Sequence, residues 1–196
     1  VVESLPFYTT ERAPEQQSGI GGSRVFDQKT KQLVILTGAS GSGKTTLAKR
    51  VAAHCGQSVL VRHFDAIEVP SLKSMTAVYG SPEEWQRCKT QEWISKLAKL
   101  PATRVLFEGQ SRIEFIASAL KEAEISDATI LLVDCRDADR IQRLMLTRRQ
   151  PDLATDQMLK WAAHLRQEAR EFGCETLDTS ECSIEDCVDR IASCFQ

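Results

Sequence analysis

A chain of 196 residues with a formal net charge of −2 has room for one compact domain with a substantial core. It lacks the cationic excess that grips nucleic acid through a broad basic surface, although a local basic pocket stays open. No apolar run approaches the ~20 residues needed to cross a bilayer, so no membrane span is expected. Seven scattered cysteines, odd in number and without a Cys-x-x-Cys pair, read as buried or reduced thiols of a cytoplasmic protein. Cys182, Cys187 and His164 fit no zinc spacing, and His54 and His63 read as a helix-end and a strand residue rather than ligands. No signal peptide is read, and Val1 in place of Met leaves room for an upstream segment.

Residues 1–24 carry Pro6, Pro14, Gly19, Gly21 and Gly22 among polar side chains and read as an irregular arm; residues 25–196 form the folded domain. A short strand and turn is expected over 25–31. Residues 32–37 are a continuous apolar run, as in a strand buried on both faces of a parallel sheet. Leu47, Ala48, Val51 and Ala52 then recur at helical spacing, with Gly56 to end the helix. A second strand covers 58–64 and ends at Asp65, and 70–80 reads as a loop. Ser81, Pro82 and Glu84 start a helix that runs to about residue 100. A third strand over 103–107 ends at Glu108-Gly109, and Ile113, Ile116, Ala117 and Leu120 mark the next helix. The fourth strand, 128–133, ends at Asp134. The helix behind it carries Arg140, Arg143, Arg148 and Arg149 before Pro151 stops it. Thr155 caps a strongly periodic helix that ends at Gly173, a short strand over 175–177 leads to Asp178-Thr179-Ser180, and Ser183 caps the last helix. Strands alternating with helices predict an α/β architecture built on a parallel sheet.

Between the first strand and its helix lies Gly38-Ala39-Ser40-Gly41-Ser42-Gly43-Lys44-Thr45, a full match to G-x-x-x-x-G-K-[ST]. The glycines let successive backbone N–H groups turn inward on phosphate oxygens at a helix N-terminus. Lys44 reaches the β- and γ-phosphates, the Thr45 hydroxyl ligates Mg²⁺, and Thr46 follows at the mouth of the loop. ATP and Mg²⁺ are therefore the expected cofactors. In an open parallel sheet, ligands collect beyond the carboxyl ends of the strands. Asp65 stands there to accept a proton from a substrate hydroxyl, and Glu108 to hold a Mg²⁺-bound water or the substrate. Arg112 is placed to hold an anionic part of the substrate. Arg143 and Arg148 lie where a lid would close, and guanidinium groups there would stabilise the charge that spreads during phosphoryl transfer. Asp134 and Asp178 read as strand ends or caps, and Trp85, Trp93 and Trp161 as core or helix-contact residues rather than base-stacking platforms.

From about residue 32 to the end, the arrangement resembles the P-loop kinases of the nucleoside-monophosphate-kinase-like superfamily. Asp65 and the segment Glu108-Gly109-Gln110-Ser111-Arg112 look like the small-molecule and zeta-toxin-like branch. The resemblance implies a three-layer fold with a five-stranded parallel sheet in order 2-3-1-4-5, a small mobile lid, and an adenine pocket that uses Arg140 or Arg143 with Thr179 and Ser180. It further implies transfer of the γ-phosphate of ATP to a hydroxyl of a small molecule. A nucleoside, nucleotide or nucleic-acid 5′-end kinase is the enzymatic alternative, and a nucleotide-dependent switch ATPase the alternative of another class. No asparagine occurs in the chain, so the N-K-x-D element of GTPase switches is absent, and the D-G-[FY]-P-R element of adenylate kinases is missing too.

Overall fold

Five parallel strands form the middle layer of the computed structural model, which describes residues 31–66 and 69–195. The expected arm over 1–24 and all but the last residue of the expected strand and turn over 25–31 lie outside the described residues. In chain order the strands are β1 (Gln32–Thr37), β2 (Leu60–His63), β3 (Arg104–Glu108), β4 (Ala128–Asp134) and β5 (Glu175–Asp178). Their order across the sheet is β2-β3-β1-β4-β5, the order the resemblance implies.

The helices are α1 (Lys44–Cys55), α2 (Leu72–Tyr79), α3 (Pro82–Ala98), α4 (Ile113–Glu122), α5 (Asp137–Gln142), α6 (Asp156–Glu171) and α7 (Ile184–Ser193). They cover both faces of the sheet. Val34, Leu36, Leu106, Leu131 and Val133 face α1 and α7 through Leu47, Val51, Val188 and Ile191. Leu33, Ile35, Val105 and Phe107 face α3 and α4 through Ile94, Leu97, Ile116 and Leu120, and α6 joins that side over Leu132 through Ala162, Leu165 and Ala169. A strand covered on both sides has no solvent face, which is why residues 33–37 of β1 are all buried and read as a run instead of an alternation.

The expected helix boundaries hold at their caps. Ser81, Thr155 and Ser183 each accept a backbone hydrogen bond from the residue three further on, at Glu84, Met158 and Asp186. The expected loop over 70–80 needs correction. It contains α2, capped by Ser71, which accepts from the Ser74 N–H, and only Met75 of this helix is buried. Pro70 and Gly80 punctuate the segment, and its two turns are too short to display a periodic face, so the helix is hidden in sequence. The expected single helix behind β4 is also broken. After α5 the chain widens into a π-helical turn over Arg143–Thr147, with the Arg148 N–H donating to the Arg143 carbonyl at 2.9 Å. Arg149 then takes a left-handed φ of 52° ahead of Pro151.

Strand register brings the chemistry to one edge. Glu108 lies opposite Leu36 of β1 on one side and opposite His63 of β2 on the other. Asp134 lies opposite Asp178. β2 and β3 sit to one side of β1, and β4 and β5 to the other, so a crevice opens beyond the carboxyl end of β1, where residues 38–43 begin.

Candidate functional site at the carboxyl edge of the sheet

The loop after β1 is held by its neighbours. Gly38, at φ 152°, leaves the sheet where a Cβ would overlap the Val133 carbonyl oxygen of β4. Gly41, at φ 81°, lies against Leu144 and Arg140. These two positions need glycine, one for space and the other for a left-handed backbone as well. The loop ends at Gly43, the N-cap of α1, so the first turn of the helix opens toward the crevice.

Lys44 is buried and its Nζ donates back to the Ala39 carbonyl at 3.1 Å, spanning the inside of the loop. Burial pulls its ammonium down from 10.5 to about 8; Glu108 and Asp65 pull it up, while Arg140 and Arg148 push it further down. The exposed Thr45 hydroxyl donates to Glu108 Oε1 at 3.2 Å. Glu108 is itself only 6% exposed, and its Oε1 also meets His63 Nδ1 at 2.7 Å. Two hard oxygen donors, the Thr45 hydroxyl and the Glu108 carboxylate, thus stand together, a donor set that suits Mg²⁺ sharing its shell with water and phosphate. Among the described residues, no group of three or more His, Cys, Asp or Glu side chains gathers into a metal cage.

Asp65 is exposed, in a 3₁₀ turn over Phe64–Ala66 directly after β2. It is near enough to act on the Lys44 charge. Arg112 lies on the opposite flank and differs from its expected role as a free anion anchor. Its guanidinium is already matched by Glu83, by Glu114 at 2.6 Å and by Glu168 at 2.7 Å. The Glu168 carboxylate, 3% exposed, also accepts from the Ile113 N–H at 2.7 Å and so caps α4 from α6. Glu83, Gln86, Gln110, Arg112, Trp161 and His164 are among the residues lining a hollow of about 570 Å³. Ser40 of the loop reaches that hollow by donating to Gln110 Oε1 at 3.1 Å. Trp161, expected in the core or a helix contact, packs partly buried against the cluster that holds Ile113, Ala162 and Leu165, and it also lines the hollow.

Behind the loop, Arg140 is fully buried and departs from its expected place at an adenine. It donates to the Ser40 carbonyl at 2.8 Å and pairs with Asp134, whose carboxylate also receives Arg166 at 2.5 Å. A buried charge without a partner is very costly, so this arginine ties the loop to the end of β4 instead of waiting for a ligand. Thr179 belongs to the same scaffold: its hydroxyl donates to the Ser42 carbonyl at 2.8 Å, and its N–H donates to the Asp134 carbonyl at 2.9 Å. The Ser180 hydroxyl accepts the Arg136 N–H at 2.9 Å. Arg143 reaches across to Thr179, at 2.7 Å from the hydroxyl and 2.8 Å from the carbonyl.

A second cavity of about 270 Å³ opens in front of the loop, lined by Gly43, Lys44, Thr45, Thr46, Arg143 and Arg148. The fold therefore brings together Lys44, Thr45, Glu108, Arg143 and Arg148, keeps Arg112 on the other flank, and sinks Arg140 beneath the loop. His63 is the side chain that sequence reasoning passed over. Its signal was its place two residues before Asp65, at the end of a strand that pairs with the strand ending in Glu108.

Comparisons with known proteins agree with this geometry. The family model described as the ATPase family associated with various cellular activities (AAA) matches residues 34–172. Nucleotide-binding proteins from two strains of Lactobacillus delbrueckii subsp. bulgaricus are each 29% identical over 175 residues, covering 87% of this chain and 55% of theirs. The chain thus spans about half the length of the curated relatives it matches. Among solved structures, a shikimate kinase from Acinetobacter baumannii in complex with shikimate superposes with a TM-score of 0.58 at 17% identity, over 85% of this chain and 94% of that one. A sugar kinase from Janibacter sp. HTCC2649 gives 0.60 at 21%, over 84% and 94%. A gluconokinase from Sinorhizobium meliloti 1021 gives 0.59 at 14%, over 83% and 90%. No helix among the described residues is long and apolar enough to cross a membrane. With its complete phosphate loop and its 2-3-1-4-5 sheet, the chain belongs to the P-loop ATPase family associated with various cellular activities, and its fold is that of the nucleoside-monophosphate-kinase-like P-loop kinases.

Proposed function

We propose that the chain is a phosphotransferase that moves the γ-phosphate of ATP to a hydroxyl of a small molecule. One observation carries this reading: two compartments meet at the phosphate loop. The cavity holding Lys44 and Thr45 lies on one side, and the larger hollow reached through Ser40 and Gln110 lies on the other. Hydrolysis needs room for one ligand and a water, whereas group transfer needs room for two ligands.

In this reading the backbone of residues 38–43 and the N-terminus of α1 hold the phosphates, and Lys44 neutralises them. Thr45 and Glu108 hold Mg²⁺, which supplies charge neutralisation on the phosphate oxygens when bound. Asp65 accepts the proton of the acceptor hydroxyl. Arg143 and Arg148 close over the nucleotide, with Thr179 and Ser180 on its base side, and Arg140 acts through the loop it supports. Three carboxylates already match Arg112, so the hollow has no spare guanidinium for an acid. Its amides and the Trp161 ring suit a polyhydroxylated acceptor, and the Lys160 ammonium in the same lining suits an acidic group on it.

The test is transfer of labelled γ-phosphate to a panel of neutral sugars and polyols, hydroxy acids, nucleosides and oligonucleotide 5′ ends. Label should appear on a small hydroxyl compound of the panel, and Lys44→Ala should remove on the order of 2–4 kcal/mol of transition-state stabilisation. Undiminished transfer by a folded Lys44→Ala protein would sink the proposal. The match to the AAA family favours a second reading, a nucleotide-driven ATPase. It predicts ATP turnover that no acceptor accelerates and no labelled product.

A further inference from the structure

The Glu108 carboxylate is nearly enclosed, and a single oxygen, Oε1, meets two groups from two other elements. One is the Thr45 hydroxyl at the start of α1, at 3.2 Å; the other is Nδ1 of His63 at the end of β2, at 2.7 Å. An ionised carboxylate can only accept, so Nδ1 carries the proton and donates. The shorter bond is the imidazole's, and its geometry is built into the sheet, because the parallel register sets His63 directly opposite Glu108.

Without that bond the carboxylate has a competing partner. Lys44 is buried close by, and Glu108 is the largest charge acting to raise its pKa. A carboxylate free to turn toward that ammonium would leave the Thr45 hydroxyl. We propose that His63 is a positioning residue that holds the Glu108 carboxylate beside Thr45 and thereby sets the affinity of the nucleotide site for Mg²⁺. The inference rests on the reading of Thr45 and Glu108 as the metal-holding pair. Partners that orient a metal-binding carboxylate are worth about 10–100-fold in metal affinity.

The experiment follows binding of a fluorescent ATP analogue to the full chain, first in EDTA and then along a Mg²⁺ titration. The proteins are wild type, His63→Ala and His63→Asn; the asparagine amide N–H stands close to where Nδ1 does. Binding in EDTA and the melting temperature should be nearly the same in all three. The Mg²⁺ midpoint should rise by about 10–100-fold in His63→Ala and return most of the way in His63→Asn. An unmoved midpoint in His63→Ala would overturn the proposal. So would an equal loss of binding with and without Mg²⁺, which marks a merely structural histidine. If Mg²⁺ has no effect on wild type, the metal-holding pair itself is wrong and the proposal goes with it. Failure confined to the variants removes the role of His63 alone.

Discussion

Binding of a triphosphate beside Lys44 will draw a proton from solution. In the ligand-free protein, burial holds this ammonium at about 8 instead of 10.5, a displacement worth about 3 kcal/mol. Phosphate oxygens replace the missing solvent with negative charge, so the bound lysine returns to its protonated form. At pH 9 roughly nine in ten Lys44 side chains are neutral before binding, and about 0.9 proton should be taken up per nucleotide; at pH 7 the figure falls to about 0.1. Calorimetric titrations at pH 9 in two buffers of different ionisation enthalpy measure this uptake, and Lys44→Met should abolish it. Identical heats in both buffers for wild type, or undiminished uptake in Lys44→Met, would refute the reasoning. The same displacement affects stability. Between about pH 8 and 10.5 the unfolded chain holds the proton that folded Lys44 has lost, so the ligand-free protein gains stability as pH rises through that window.

Three further outcomes are expected. Asp65→Asn should leave nucleotide affinity nearly intact and slow the chemical step by about 10²-fold or more; weaker ATP binding as its only defect would move Asp65 into the metal shell. Asp134→Asn strands the fully buried Arg140 without a counter-charge and should cost about 3–5 kcal/mol, read as a lower denaturant midpoint at unchanged slope. A loss below ~1 kcal/mol would mean that the Ser40 carbonyl and the asparagine side-chain oxygen are enough for Arg140. Hydrogen exchange over residues 140–149, which carry the π-helical turn and left-handed Arg149, should slow when a non-hydrolysable ATP analogue binds, if the segment closes over the nucleotide as proposed. Equal exchange in both states, with Arg143→Ala and Arg148→Ala kinetically silent, would make these arginines part of a solvated face.

The phosphate loop was legible because its meaning is local. Eight consecutive residues, a buried strand before them and an amphipathic helix after them carry all the necessary information, and the helix starts capped by Ser81, Thr155 and Ser183 were legible for the same reason. Helix α2 was not, since a two-turn helix between proline and glycine shows no period. The break in the helix behind β4 was not either, since a π-helical turn keeps an ordinary helical composition.

The amino-acid sequence thus determined the five strands, the longer helices and the identity of the loop, because those depend on neighbours a few positions away. Only the tertiary structure decided what the charged residues do. Arg112 reads as a free cation until Glu83, Glu114 and Glu168 arrive from α3, α4 and α6. Arg140 reads as an adenine-pocket residue until Asp134 and the Ser40 carbonyl enclose it. His63 reads as an ordinary strand residue until β2 pairs with β3 and sets it against Glu108. In each case the deciding partner lies in another element, and an ionisable side chain takes its role from the charges and the burial that folding brings to it.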